Sequence, residues 1–232
     1  MLELLTADLG PGARGVFTTR AGGVSCGPYA AEEGAGGLNL AFHVEDDEDR
    51  VIANRDLVDR HAGHHVAWMS QRHSARVRLV TRVPGRGRTT TGEADSLVAR
   101  RTGPGAPAVG VPVADCGPPL PATSSGSLVP AVPVGRQGLA TGVVGATLDV
   151  LTEQGAAVSD LYAALGPAIC GDCYEVPAQL RAEVAERVPA AHARTSWGTP
   201  ALDIPAGVIA QLTTAGVRRV APPPACTLED ER

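Results

Sequence analysis

Apolar and polar residues are spaced along the 232-residue chain so as to predict strands and helices interspersed from end to end. "RGVFTTR" (14–20) alternates as a half-buried strand, and "AGGVSCGPYA" (21–30) then turns on glycine and proline. Residues 45–63, "EDDEDRVIANRDLVDRHAG", open on acids, carry Val51, Ile52, Leu57 and Val58 inside, and close on Gly63, the pattern of a capped amphipathic helix. "HVAWMSQRH" (65–73) and "ARVRLVTR" (75–82) read as two strands with a polar turn between them. "PGRGRTTTGE" (84–93) reads as a loop and "DSLVAR" (95–100) as a short strand. "APAVGVPVADC" (106–116) and "GSLVPAVPV" (126–134) are almost continuously apolar, as in strands buried on both faces of a sheet. Residues 138–155, "GLATGVVGATLDVLTEQG", give the clearest helix, with Val143, Leu148 and Leu151 on one side. A strand "DLYAALGP" (160–167), a cysteine-bearing turn and helices over 178–188 and about 203–215 complete the chain. The pattern predicts one mixed α/β domain over 1–232, a mixed sheet with flanking helices.

Composition narrows the functional classes. Hydrophobic residues make up 44% and charged residues 19%, enough for a substantial core, which rests on Val, Leu, Ala and Ile because aromatics make up only 3%. All 20 basic residues are Arg, and with 28 Gly and 19 Pro this reads as the coding bias of a GC-rich genome, which devalues any single glycine motif. A net charge of −5 with no basic tract argues against a nucleic-acid partner. The start "MLELLTADLGPG" lacks the charge and apolar core of a signal peptide, and no 18-residue apolar run predicts a membrane span. Five cysteines, an odd number, fit reduced thiols and a cytoplasmic protein.

Several motifs invite chemistry. "AVPVGRQGLATG" (131–142) has the outline of a strand, a glycine turn and a helix, as in phosphate cradles. "CGDC" (170–173) lacks a second C-x-x-C or a histidine pair, and it follows a strand where thioredoxin-like motifs open a helix, so it reads as two unlinked thiols in a turn. "HAGHH" (61–65) reads as a solvated helix cap. His73 and Cys116, with Asp115 beside it, end apolar strands, where α/β folds place functional groups. They are two candidate ligands of one zinc site, and a catalytic zinc normally takes three protein ligands.

Eight segments, "FTTRAGGVSCGPY", "LNLAFHVEDD", "NRDLV", "SQRHSARV", "ADSLV", "VADCGPP", "GRQGLATGVV" and "LGPAICGDCYEVP", occur in the order and spacing of the laccase-domain proteins. The chain resembles that family over about residues 14–228. The family is also described as multicopper polyphenol oxidase-like, as purine nucleoside phosphorylases and as peptidoglycan editing factors. The resemblance implies a single α/β domain with a metal, usually zinc, held by two histidines and a cysteine. His73 matches the first histidine, with Ser74 in place of the glycine that follows it, and Cys116 matches the cysteine. The second histidine falls on Pro133 and a family arginine on Gln137, leaving Arg136 as the nearest cation. Proline cannot ligate a metal. His43 is the neighbouring side chain that could stand in.

The activity implied by the resemblance is phosphorolysis of purine nucleosides or deamination of adenosine, with small molecules (nucleoside and phosphate) as partners and a monomer or homodimer as the assembly. Arg20 and Ser25 suit phosphate or ribose, Asn39 would orient substrate hydroxyls, and His73, Cys116 and Asp115 would be ligands or proton-handling groups. The departures at 133 and 137 suggest a weakened or absent zinc site, and with it reduced activity or a pseudoenzyme. Editing of a cell-wall precursor and copper-dependent phenol oxidation are the remaining alternatives. The chain also stops at "CTLEDER", without the aromatic-Ser-x-Arg segment and final apolar strand expected of the family.

Overall fold

In the computed structural model, residues 2–32, 34–82, 90–103 and 107–230 are described. In chain order the strands and helices are β1 (Leu4–Ala7), β2 (Gly15–Thr18), β3 (Ala21–Ser25), α1 (Glu48–Ala62), β4 (Val66–Ser70), β5 (Val77–Val80), β6 (Thr90–Glu93) and β7 (Ser96–Arg100). There follow β8 (Ala108–Val109), β9 (Pro119–Thr123), β10 (Leu128–Ala131), α2 (Arg136–Thr141), α3 (Val143–Glu153), β11 (Leu161–Leu165), α4 (Ala178–Arg187), β12 (His192–Arg194), β13 (Pro200–Leu202), α5 (Ile204–Thr214) and β14 (Arg219–Ala221). Helices and strands alternate in a mixed α/β architecture, as the pattern predicts.

Three small sheets, ordered β10-β7-β5, β14-β11-β9 and β6-β4-β8, form the framework, with the hairpins β1-β2 and β12-β13 beside them. β9 and β10 lie side by side, yet no ladder joins them. The reason lies in the prolines. Pro118 O and the even positions of β9 face β11, as the Gly166 N–H to Pro118 O bond fixes, so Pro119 and Pro121 face β10. By the same parity Ser127 O bonds Arg101 N on the β7 side, so Pro130 faces β9. Three missing N–H groups fall on one seam, against one on the β11 side, that of Pro118 just before β9, and none within the β7 ladder. Val132 N to Pro119 O, at 3.4 Å, crosses it.

The main core packs α3, α4 and α5 onto these sheets through fully buried Val143, Leu151, Leu161, Ile204, Val208 and Leu212. Burying side chains of this size contributes about 1.5–3 kcal/mol each. A smaller core under β4 and β7 gathers Ala67, Met69, Val80, Ala94 and Leu97.

Helix α1 forms where its caps require. The Asp47 carboxylate accepts the N–H groups of Asp49 and Arg50, and Gly63 ends the helix in the left-handed region at φ 77°. Elsewhere the elements differ from the sequence pattern. The helix expected over 138–155 is two, broken at Gly142 with φ 83°. Of the apolar run 106–116, residue 106 lies outside the described residues and the rest yields only the two-residue β8; Pro112 has no N–H with which to extend its ladder. The turn expected at 21–30 contains β3. Of the loop expected at 84–93, residues 84–89 lie outside the described residues and Thr90–Glu93 form β6.

Candidate functional site

The segments after β4, before β9 and before α2 come together at one end of the sheets. Gln71 Nε2 donates to Pro133 O at 3.5 Å, and Gly117 N donates to Val134 O at 3.0 Å. A Cβ added to Gly135 would lie 3.1 Å from Cys116 Sγ, a tight contact, so the glycine lets the two segments approach closely without displacing the thiol. The stretches bearing His73, Cys116 and Pro133 are therefore neighbours.

His73 is exposed at the apex of its loop, and at φ 58° it is the one non-glycine residue with positive φ among the described residues. Asp95, 1% exposed, holds that loop from below. It accepts the Arg72 N–H at 2.9 Å and the Ser74 hydroxyl. Burial pushes the Asp95 carboxyl up, but bonds from Ser74 Oγ and from the backbone of Arg72, Ser74 and His73 outweigh it and hold it below the ordinary carboxylate range. The Ser74 that replaces the family glycine thus supplies one of the bonds on Asp95.

Cys116 is half-buried, and burial followed by the adjacent Asp115 charge pushes its thiol up, so it is neutral near pH 7. Asp115 is exposed and accepts the Thr227 hydroxyl at 2.7 Å, while its carbonyl accepts Ile169 N–H at 3.2 Å. Pro133 is buried, Arg136 half-buried and Gln137 exposed at the start of α2. Among the described residues, His73 and Cys116 belong to no group of three His, Cys, Asp or Glu side chains whose donor atoms converge on one point. His43 does not complete one. The residues present do not fit a three-ligand zinc here.

Arg20, Ser25 and Asn39 lie in a second polar cluster around α1. Arg20 Nη2 donates to the carbonyls of Ala30 and Ala31. Ser25 is fully enclosed; its hydroxyl donates to Asp46 Oδ2 at 2.6 Å and accepts from Asn54 at 2.9 Å. Asn39 Nδ2 also donates to Asp46 Oδ2, at 2.9 Å. Asn54 ties the cluster together, donating to the carbonyls of Gly37 and Asn39 and accepting the Val24 N–H. Beside it Arg55 is sandwiched between the Phe42 and Trp68 rings at 4.4 and 4.5 Å, with Nε on Leu40 O and Nη1 buried without a partner. Burial lowers the Arg55 pKa to about 10 against the opposing pull of Asp59, and the group remains charged.

The donors that do converge are elsewhere: Cys170, Cys173, Cys226 and Glu229 place their ligand atoms within 4.8 Å of one another. The C-x-x-C read as two unlinked thiols is thus joined by a third cysteine and a carboxylate from 56 residues downstream.

Residues 14–232 match the family described as "Multi-copper polyphenol oxidoreductase laccase". The chain belongs to this laccase family. Similar proteins include a purine nucleoside phosphorylase of Streptomyces griseus, 43% identical over 97% of this chain and 88% of the relative. Another, from Streptomyces coelicolor, is 45% identical over 94% of this chain and 87% of its own length. Among solved structures, YlmD from Geobacillus stearothermophilus superposes with a TM-score of 0.78 at 30% identity, over 92% of this chain and 82% of that one. YfiH from Bacillus licheniformis gives 0.80 at 26%, over 94% and 84%.

In this laccase-family chain, sequence reasoning missed Asp95, Asn54, Arg55, Cys226 and Glu229. Asn54 and Arg55 had a signal: both lie in the "NRDLV" segment that carries the family resemblance. The others had none, because their partners are distant in sequence. No helix among the described residues is long and apolar enough to cross a membrane.

Proposed function

We propose that this single-domain chain is a purine nucleoside phosphorylase-type enzyme whose reacting groups are His73, Cys116, Asp115 and Arg136, working without a three-ligand zinc. The observation that carries this reading is 43–45% identity over at least 94% of the chain to proteins named for that activity. In phosphorolysis a phosphate oxygen attacks C1′ of the ribose and the C1′–N9 bond breaks. The electron pair leaves with the base, which must take up a proton. Arg136 supplies positive charge for the phosphate. His73, exposed at the tip of a loop clamped by Asp95, delivers the proton. Cys116, neutral and half-buried, is a hydrogen-bond donor to the sugar or base. Arg20 is the second cation, while Ser25 and Asn39 act by holding the 37–46 loop in place.

The test is incubation of the purified protein with inosine or adenosine and phosphate, followed by chromatography. Phosphate-dependent release of free base and ribose 1-phosphate is expected, with His73→Ala slowing it at least about 100-fold. Absence of free base in every preparation overturns the proposal, and conversion of adenosine to inosine without free base reassigns the site to deamination.

A second reading, a pseudoenzyme that binds nucleoside without turnover, is favoured by the buried Pro133 at a ligand position. Nucleoside binding by calorimetry with no product supports it. Recovery of base release in Pro133→His, Gln137→Arg would locate the loss at those two positions.

A further inference from the structure

The C-x-x-C turn and the segment that carries Cys226 have the same backbone. Cys170 O accepts the N–H groups of Cys173 and Tyr174 at 3.1 and 2.9 Å. Cys226 O accepts those of Glu229 and Asp230 at 3.2 and 2.9 Å, the same i+3 and i+4 pattern. Two such turns, C-x-x-C and C-x-x-E, face each other.

Their register is fixed independently of the side chains. Ala168 and Cys226 form a parallel bridge, with Ala168 N on Ala225 O and Thr227 N on Ala168 O. Across the gap Cys170 N donates to Cys226 Sγ at 3.4 Å and Cys173 Sγ to Glu229 Oε1 at 3.5 Å. Gly171 is required in the first turn, because a Cβ there would lie 2.8 Å from the Cβ of Asp203, the N-cap of α5. Cys173 is buried, Cys170 and Cys226 are half-buried, and Glu229 closes the outer side.

We propose that Cys170, Cys173, Cys226 and Glu229 form a structural zinc site. A tetrahedral ion with Zn–S bonds of about 2.3 Å separates its sulfurs by about 3.8 Å, so donor atoms already within 4.8 Å need move little to close on it. Three sulfurs select zinc over calcium or magnesium, and four protein ligands leave no open position for catalysis. The site lies apart from His73, Cys116 and Pro133, yet supports them from behind. It fixes Thr227, which donates to Asp115, and Ile169, which donates to the Asp115 carbonyl one residue before Cys116.

Metal analysis of the full chain, purified with reductant and without chelator, should find about one zinc per chain. Cobalt exchanged into the wild type should give tetrahedral visible bands and thiolate-to-cobalt charge-transfer absorption. Glu229 is exposed, so its variants report without disturbing the core: Glu229→Gln should weaken zinc at least about tenfold, and Glu229→Cys should intensify the cobalt charge-transfer band. Chelation should lower Tm by more than about 4 °C. The proposal is overturned if the reduced chain takes up neither metal, or if a Cys170–Cys173 disulfide accounts for both thiols. It is equally overturned if bound zinc survives Cys226→Ser but is lost in Cys116→Ser.

Discussion

A left-handed histidine at the tip of a loop is costly to hold. An L-residue at φ 58° loses roughly 1 kcal/mol or more against glycine. His73→Gly should therefore be more stable than His73→Ala by about 1 kcal/mol in urea unfolding, although both lack the imidazole. What pins the loop is Asp95. Asp95→Asn should lower stability at pH 7 by about 1–3 kcal/mol, since it removes charge-assisted bonds from a buried site. The pH dependence follows from the sign of its shift. A carboxyl held below its ordinary value of 3.8 stabilises the fold fully above that value, and the stabilisation is lost as pH falls through the lower, folded-state value. Asp46, where the bonds from Ser25, Asn39 and Asp47 and the charge of Arg50 outweigh burial, acts in the same direction. Urea midpoints measured from pH 5 down to about pH 2 should fall more steeply for the wild type than for Asp95→Asn, with the difference opening below about pH 4. Arg55→Lys should cost about 1–2 kcal/mol, because a lysine cannot stack flat between Phe42 and Trp68 while bonding Leu40 O. His73 and Cys116 stand out in the sequence as polar residues ending apolar runs, and the turns that carry them lie side by side. Asp95 does not stand out, since its role exists only once the start of β7 lies against the 72–76 turn, through Asp95 N and Ser96 N on Arg76 O.

Among the elements, α2 and α3 show where a hydrophobic pattern misleads. The apolar residues of 138–155 keep helical spacing across Gly142, so the pattern reads one helix where the backbone makes two. Gly142 is the C-cap of α2 and the N-cap of α3, with its N–H on the carbonyls of Gly138 and Leu139. Gly142→Ala should lower stability by about 1 kcal/mol, read as a Tm shift, because alanine pays for the positive φ that glycine adopts freely. In a chain with 28 glycines the one that breaks a helix cannot be told from the rest. The ends of α1 were legible because Asp47 and Gly63 cap it by side-chain and backbone chemistry that the sequence displays. β12, β13 and β14, of three residues each, were not, for a strand that short owes its conformation to its partner.

For the whole molecule, fold class was legible from the interspersed periods, but the arrangement of sheets was not. It depends on which face of each strand the prolines take. Pro119, Pro121 and Pro130 occupy the seam between β9 and β10, and their effect reaches beyond the native state. Before α3 and α5 cover them, β9 and β10 are short, uncharged strands that, their prolines apart, carry only Leu, Val, Ala and Thr, the kind of segment that pairs with copies of itself. A strand with an amide missing at alternate positions is a poor template for such pairing. Pro130→Val should leave native stability within about 1 kcal/mol yet raise light scattering and lower the recovered fraction when the protein is diluted from urea at micromolar concentration. The prolines that leave the folded sheet with an unladdered seam thereby act as solubility guards while the chain is folding.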